Sequence, residues 1–290
     1  MNNIYQKELK GYFKNVTGFV FIAFMLAVIG IYAAVINFTY AYPNFEFVLT
    51  GVSFIFLIVV PLLTMRVLAE ERHQKTDQLL YSLPLKLSSI VLGKFFAMLT
   101  VYAIPVLLSA VYPLVLSIYD PSGYISFSSS YGTMFAFFLL GAALISIGMF
   151  MSSLTESQII AAVMSFGAML MSFLTSALAN IIPSTVNASF FGFIVLILLA
   201  ALLVYFLTKN SNMAWISFLI LDIPLVLIRF LKSDLLYGAL PSMLKAISLF
   251  DKLDSFAAGI FDMTAVVYYL SVMALFIFFT VQSMEKRRWS

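Results

Sequence analysis

Between Val16 and Val281 the chain is a succession of apolar runs, each about twenty residues long and nearly free of charge, divided by short polar breaks. That length matches the hydrocarbon core of a bilayer, which an α-helix crosses in about 20 residues. Barrel strands are excluded, because they are about ten residues of alternating polarity and these runs are longer and uniformly apolar. In lipid every backbone N–H and C=O needs an internal partner, so each run has to be helical. With 63% hydrophobic and 10% charged residues, a soluble domain of 290 residues is excluded as well. The expected fold is all-α, a polytopic transmembrane helix bundle forming a single domain over residues 1–290.

Eight spans follow from the pattern, at about 16–37, 47–68, 90–118, 131–153, 158–179, 190–207, 214–231 and 263–281. Pro61 removes a backbone donor and can kink the second span where it leaves the membrane, and the third span, longer than a bilayer requires and holding Pro105 and Pro113, is expected to tilt or kink. The seventh run carries Asp222, Pro224 and Arg229. Its two ionisable residues are seven positions apart, about two helical turns, and so are too far apart to pair directly. Six spans with 190–231 as a re-entrant hairpin would preserve the same polarity. Placing both termini, the breaks around 61–86, 154–157 and 208–212, and Lys94 at the start of the third span on one side gives that side twelve of the sixteen basic residues. Arg229, Lys232, Lys245 and Lys252 are left for the other side, and the positive-inside rule makes the first side cytoplasmic. The expected location is the cell membrane of a prokaryote, crossed several times.

Three polar segments interrupt the apolar pattern. Residues 1–15 alternate Ile4, Tyr5, Leu9, Tyr12 and Phe13 with Lys7, Glu8, Lys10 and Lys14, the pattern of an amphipathic helix lying in the membrane interface. Residues 232–262 mix leucines with scattered charges and read as amphipathic helices on the external surface. The densest polar stretch is PLLTMRVLAEERHQKTDQLLYSLP, from Pro61 to Pro84. From Glu70 to Leu83 it suits a surface-parallel helix, with Leu79, Leu80 and Leu83 apolar and Glu71, Lys75 and Gln78 polar. Such a helix can transmit force from a soluble partner to the two spans it joins. The turn LTES, Leu154 to Ser157, belongs to the same side.

The catalytic inventory is thin. Gly93-Lys94 is not a phosphate-binding loop, because position 88 is Ser where Gly is required and position 95 is Phe where Ser or Thr is required. An intramembrane metallopeptidase needs three or four convergent ligands, whereas the chain holds one histidine, His73, beside Glu70 and Glu71, and no cysteine. The chain itself therefore reads as no enzyme, with no metal site and no cofactor of its own. Small residues stud the fourth span (Gly141, Ala142, Ser146, Gly148) and the fifth (Ala161, Ala162, Ser165, Gly167, Ala168). They allow close helix approach, either within the subunit or between subunits.

The run PLLTMRVLAEERHQKTDQLLYSLPLKLSSIVLGKF resembles the segment after the second span of permease subunits of type-2 ATP-binding-cassette exporters. The usual pattern there is Met-Arg, an acidic-acidic-basic triplet, Gly-Thr, leucines, Pro, then Gly-Lys opening the next span. ISIGMFMSSLTESQIIAAVMSF resembles their fourth-to-fifth span region, and YYLSVMALFIFFTVQSMEKRRW is similar to the end of the permease subunit named after gliding motility. The resemblance implies that Glu70, Glu71, Arg72, Lys75 and Thr76 belong to a coupling helix, residues 70–84, seated in an ATPase subunit. Glu156 would be a second, smaller contact. It implies two copies of a separate ATPase, which binds the ATP and Mg, and pairing with a second copy or a homologous permease. Membrane lipid surrounds the assembly, and nucleic acid is no partner. Lys75 departs from the pattern, standing where the family has Gly.

The function so implied is ATP-driven export of an amphiphilic or hydrophobic substrate. Thirty Phe, fifteen Tyr and fifteen Met offer apolar surface without singling out substrate-binding residues. The alternative is a mechanical or signalling membrane scaffold that the ATPase drives without moving a substrate.

Overall fold

The computed structural model describes residues 2–76, 86–119 and 126–288. Among the described residues the secondary structure is helical throughout, and eight helices are long and apolar enough to cross a membrane. The chain divides into two compact units, one of residues 1–171 and 249–290, the other of residues 172–248.

The first unit opens with helix α1 (Asn2–Lys14), followed after Asn15 by α2 (Val16–Ala33), which widens into a π-helical segment over Ala34–Thr39. In α2, Gly18, Phe21, Met25, Ile29 and Ala33 recur every three or four residues and form one narrow buried stripe. The remaining faces are left exposed, as lipid contact requires.

The second span is continuous in sequence but jointed in structure: α3 (Glu46–Val52), a 3₁₀ turn over Ser53–Ile55, α4 (Phe56–Thr64), then α5 (Ala69–His73). Ser53 Oγ donates to the Thr50 carbonyl at 2.7 Å within the tightened turn. Pro61, inside α4, has no N–H to give, and the helix ends three residues later. The turn that follows is completed by a side chain from another helix. Ser152 Oγ accepts from the N–H groups of Leu68 and Ala69, at 3.2 and 3.1 Å, and donates to the Met65 carbonyl at 3.1 Å.

The third span is two helices, α6 (Leu87–Ser109) and α7 (Val111–Tyr119), joined at Ala110. Pro113 falls in the first turn of α7, where a missing N–H costs least. The Ala110 carbonyl at the joint takes the Tyr131 hydroxyl at 3.3 Å. The expected loop residues Asp120, Pro121 and Gly123 lie outside the described residues.

Helix α8 (Phe127–Leu154) begins four residues earlier than the sequence pattern suggests, because Ser126 caps it by accepting from the Ser129 N–H. It is the centre of the unit, buried on nearly every side, with α3, α4 and α6 packed against it. Two glycines make that approach possible. A Cβ on Gly141 would stand 2.4 Å from the Tyr102 ring, and one on Gly148 would stand 2.3 Å from Thr64 Oγ1. The small residues of this span therefore serve packing within the chain.

Helix α9 (Gln158–Ile181) leads out of the first unit. Its neighbours in sequence, α10 (Val186–Thr208) and α11 (Ser211–Leu231), form the hairpin of the second unit, followed by a 3₁₀ turn at Ser233–Leu236 and α12 (Ala239–Ile247). Lys209, in the left-handed region at φ 54°, closes α10, and Asn210 caps α11 by accepting from the Asn212 N–H. Each helix of the hairpin carries a 21-residue stretch that meets the length and apolarity of a crossing, as the eight-span pattern requires. Arg229 does not pair with Asp222. It donates to Asn187 Oδ1 at 3.0 Å and lies 4.2 Å over the Phe190 ring.

The chain re-enters the first unit with α13 (Asp251–Ala257), packed on α8 and α3, and ends with α14 (Met263–Arg288), which runs along α8. The segment 232–262 is thus helical in three pieces, divided between the two units.

Candidate functional site

At one end of the first unit, α1, the turn after α4, α5 and the start of α6 converge. Helix α1 presents Ile4, Tyr5, Glu8, Leu9 and Tyr12 on one face, spaced three or four apart, and packs against α6. Tyr5 Oη and Thr100 Oγ1 share a hydrogen bond at 3.1 Å, and Tyr12 Oη donates to the Leu63 carbonyl at 3.4 Å.

The centre of this junction is Lys94, only 2% exposed although it carries a charge. Its ammonium donates to Glu71 Oε1 at 2.7 Å, to Glu8 Oε1 at 2.9 Å and to the Val67 carbonyl at 3.2 Å. A buried charge is tolerable only when paired and hydrogen-bonded, and here the three acceptors come from three different elements. Glu71 Oε2 is buried without a hydrogen-bond partner among the described residues. A cleft of about 340 Å³ opens beside the group, lined by Lys7, Glu8, Tyr12, Arg66, Glu71 and Lys94 among others. Burial, reinforced by the nearby Glu8 carboxylate, pushes the Tyr12 phenol well above its ordinary value, so it stays neutral and a donor.

The outer face of α5 is more open. Arg66 grips Glu70 with two bonds, Nε to Oε2 at 3.0 Å and Nη2 to Oε1 at 3.3 Å, and reaches Thr17 Oγ1 at 3.4 Å. Gln74 adds a bond to Glu70 Oε1 at 3.2 Å. His73, Gln74 and Lys75 are exposed.

The residues singled out by sequence therefore divide. Glu70 and Lys75 face outward, Glu71 turns inward to Lys94, and Arg72 is buried at 6% exposure. Thr76 folds back, its N–H and hydroxyl both on the Glu71 carbonyl. The helix does not run on from Glu70: it stops at His73, because Lys75 takes φ 55°, in the left-handed region that favours glycine. The rest of the expected coupling helix, with Leu79, Leu80 and Leu83, lies outside the described residues.

Glu156, from the turn between α8 and α9, is brought to the same end. It accepts a hydrogen bond from Arg287 and lines a shallow cavity with His73, Ser157, Gln158 and Ile159. Ser283 Oγ also donates to the Ser153 carbonyl at 3.2 Å. The Arg287 hydrogen bond, and then its charge, hold the Glu156 carboxyl below its ordinary value.

Sequence reasoning missed Glu8, Lys94, Ser152 and Arg287 as parts of this junction. The available signal was Lys94: a cation two turns inside an apolar run, without an acid on its own helix, has to find acceptors elsewhere.

The family model described as ABC-2 family transporter protein matches residues 2–283 of the chain. No curated protein matches it.

Proposed function

The chain belongs to the ABC-2 family of transporter proteins, and on that premise we propose that it is the permease of an ATP-driven exporter, moving an amphiphilic or hydrophobic substrate. It is a multi-pass membrane protein and a permease subunit, and its family implies association with an ABC ATPase and dimerisation. In the assembly we envisage, two ATPase copies bind ATP and Mg, and the permease pairs with itself or with a homologous permease. Both termini face the cytoplasm of a prokaryotic cell, α1 lies in the interface, residues 70–84 couple to the ATPase, and 232–262 cap the external side. The subfamily is the one named after gliding motility.

The observation that carries this reading is the meeting of α5, the 155–157 turn and the end of α14 at one end of the first unit, with Arg287 and His73 both beside Glu156. These elements come from distant parts of the chain and together offer a polar surface at the end of an apolar bundle. Glu70, Lys75 and Glu156 are its outward contacts, with Thr76 at the margin, while Glu71 and Arg72 set the position of the segment from inside. ATPase closure moves the permease only if the ATPase binds its two states with different affinity. A surface made of several elements supplies that difference, because its parts shift relative to one another.

The test is purification of the detergent-solubilised chain from its native membranes, with and without the triple reversal E70K/K75E/E156R. The unaltered chain is expected to bring down an ATPase in equal number. The variant is expected to insert and elute at its usual size while losing at least nine-tenths of that ATPase. No ATPase with the unaltered chain, even after crosslinking, overturns the reading. An ATPase that co-purifies and turns over without any amphiphile altering its rate favours the scaffold alternative.

A further inference from the structure

On the reading that an ATPase presses on residues 70–76, we propose that Lys94 is the positioning residue that makes α1, α5 and the first half of α6 move as one body. The stroke is thereby delivered to the third span and to the interfacial helix as well as to the second span.

The geometry of the ammonium points to this. An ammonium has three N–H groups, and each of the three acceptors of Lys94 belongs to a different element: Glu8 on α1, Glu71 on α5 and the Val67 carbonyl in the turn between α4 and α5. Around Lys94, α6 is apolar and tightly packed, with Ile90, Val91, Ala97 and Met98 fully buried, so its own helix offers the ammonium no polar side chain to pair with. Lys94 holds Glu71 by Oε1, and Glu71 Oε2 meets no donor among the described residues, so there Lys94 is the side-chain anchor of that carboxylate. If α5 is displaced without α6, the buried Lys94 ammonium and the Glu71 carboxylate lose each other, and if α1 is left behind as well the ammonium also loses Glu8, a loss of pairing that is costly for a buried ion. The Tyr5–Thr100 bond fixes α1 to α6 from the other side of the same contact. Three apolar residues of similar volume would hold these elements at least as stably. An ion cluster adds direction: it fixes one relative placement of the three elements and resists sliding, which apolar packing permits.

The variant Lys94→Met alone strands two facing carboxylates and tests folding as much as coupling. The informative variant is K94M/E8Q/E71Q, which keeps volume and removes all three charges. In the complex with the ATPase co-purified from native membranes, two quantities are measured: the amount of ATPase bound, and the part of the ATP hydrolysis rate that depends on the permease. Per ATPase bound, the triple variant is expected to lose at least fivefold of the permease-dependent rate, with Lys94→Arg retaining at least half. A triple variant with a full permease-dependent rate per ATPase bound overturns the proposal.

A second measurement does not depend on that variant folding. The natural chain has no cysteine, so Tyr5→Cys and Thr100→Cys can be joined by a short bifunctional thiol reagent. If α1 and α6 already move together, the crosslink leaves the permease-dependent rate unchanged. A fall of fivefold or more shows that they separate during the cycle, and overturns the proposal. Failure of the permease reading itself looks different, since no ATPase then accompanies even the unaltered chain.

Discussion

The Glu156 carboxylate accepts a hydrogen bond from the Arg287 guanidinium, 131 residues further along the chain, and so fastens the turn between α8 and α9 to the last turn of α14. Both partners are partly open to solvent, so the bond contributes little to global stability and mainly sets local geometry. The carboxyl is held below its ordinary 4.5, which means that the folded state binds its proton less readily than the unfolded chain does. Its contribution is therefore in full force above that ordinary value and is lost as pH falls through the depressed one. Amide exchange across residues 155–158 is expected to be slower in the unaltered chain than in Glu156→Gln at pH 7, with the gap closing well below pH 4.5. The swap E156R/R287E is expected to recover slow exchange at pH 7 that either reversal alone loses.

Lys75 occupies a conformation that costs a side-chain-bearing residue about 1–2 kcal/mol. Lys75→Gly relieves that strain while gaining conformational freedom in the unfolded chain, worth about 0.4–1 kcal/mol in the opposite direction. The net expectation is a chain between equally stable and about 1.5 kcal/mol more stable than the original, with ATPase co-purification weakened only by the lost charge. Lys75→Val has a β-branched side chain in the same backbone region and is expected to fall about 1–2 kcal/mol below the glycine variant. Thermal unfolding in one detergent, read side by side, checks the order.

The helices were legible because the bilayer imposes them: length and apolarity alone place the crossings, and the structure carries eight helices that qualify. Joints within the spans were legible only where proline marked them. The 3₁₀ turn at Ser53–Ile55 and the turn closed by Ser152 depend on contacts that no local pattern records. In the polar segment after the second span the pattern set Glu71 on the polar side with Lys75, whereas its carboxylate meets the buried Lys94. Five helical residues carry too little periodicity to show that Glu71 turns in while Glu70 turns out. Lys94 and Glu8 stand 86 positions apart, so their pairing exists only once α1 has folded back on α6. The same holds for Arg229, whose partners Asn187 and Phe190 lie on the facing helix of the hairpin rather than on its own.

Gly148 stands where α8 touches α4, with its missing side chain replaced by that of Thr64. A methyl group there would overlap Thr64 Oγ1, and both helices are too buried to part freely. Gly148→Ala is expected to cost about 1–3 kcal/mol, the usual range for overpacking a tight core. Among the described residues the Thr64 hydroxyl donates to the Val60 carbonyl of its own helix, at 2.9 Å, and to no group across the interface, so trimming it removes the clash without stranding a buried partner there. The double variant G148A/T64A is therefore expected to regain at least half of the loss, and thermal unfolding of the three chains measures the coupling. Equal losses in single and double variants would place the strain elsewhere.

At the opposite end of the same unit, Glu46 is 3% exposed and faces no cation among its described contacts. Its charge is met by three neutral donors instead: Ser130 Oγ at 2.9 Å on Oε2, with Asn44 Nδ2 at 3.0 Å and Ser129 Oγ at 3.2 Å on Oε1. This carboxylate therefore ties the start of α3 to the start of α8, although the sequence places it at the edge of an ordinary connector. Glu46→Ala leaves those donors without an acceptor, and a buried unsatisfied donor costs about 1–3 kcal/mol. A loss near 2 kcal/mol is expected, since the donors at the rim can turn toward water. Glu46→Gln keeps one carbonyl oxygen, and the serine hydroxyls can rotate to accept from its amide, so its loss is expected to be at most half as large. Ser130→Ala alone is expected to cost about 1 kcal/mol and to cost almost nothing in the Glu46→Ala background, because the hydroxyl has by then lost its acceptor. Additive losses in that cycle would mean that Ser130 is held by something other than Glu46, and the tie between the two helices would have to be sought in their apolar packing.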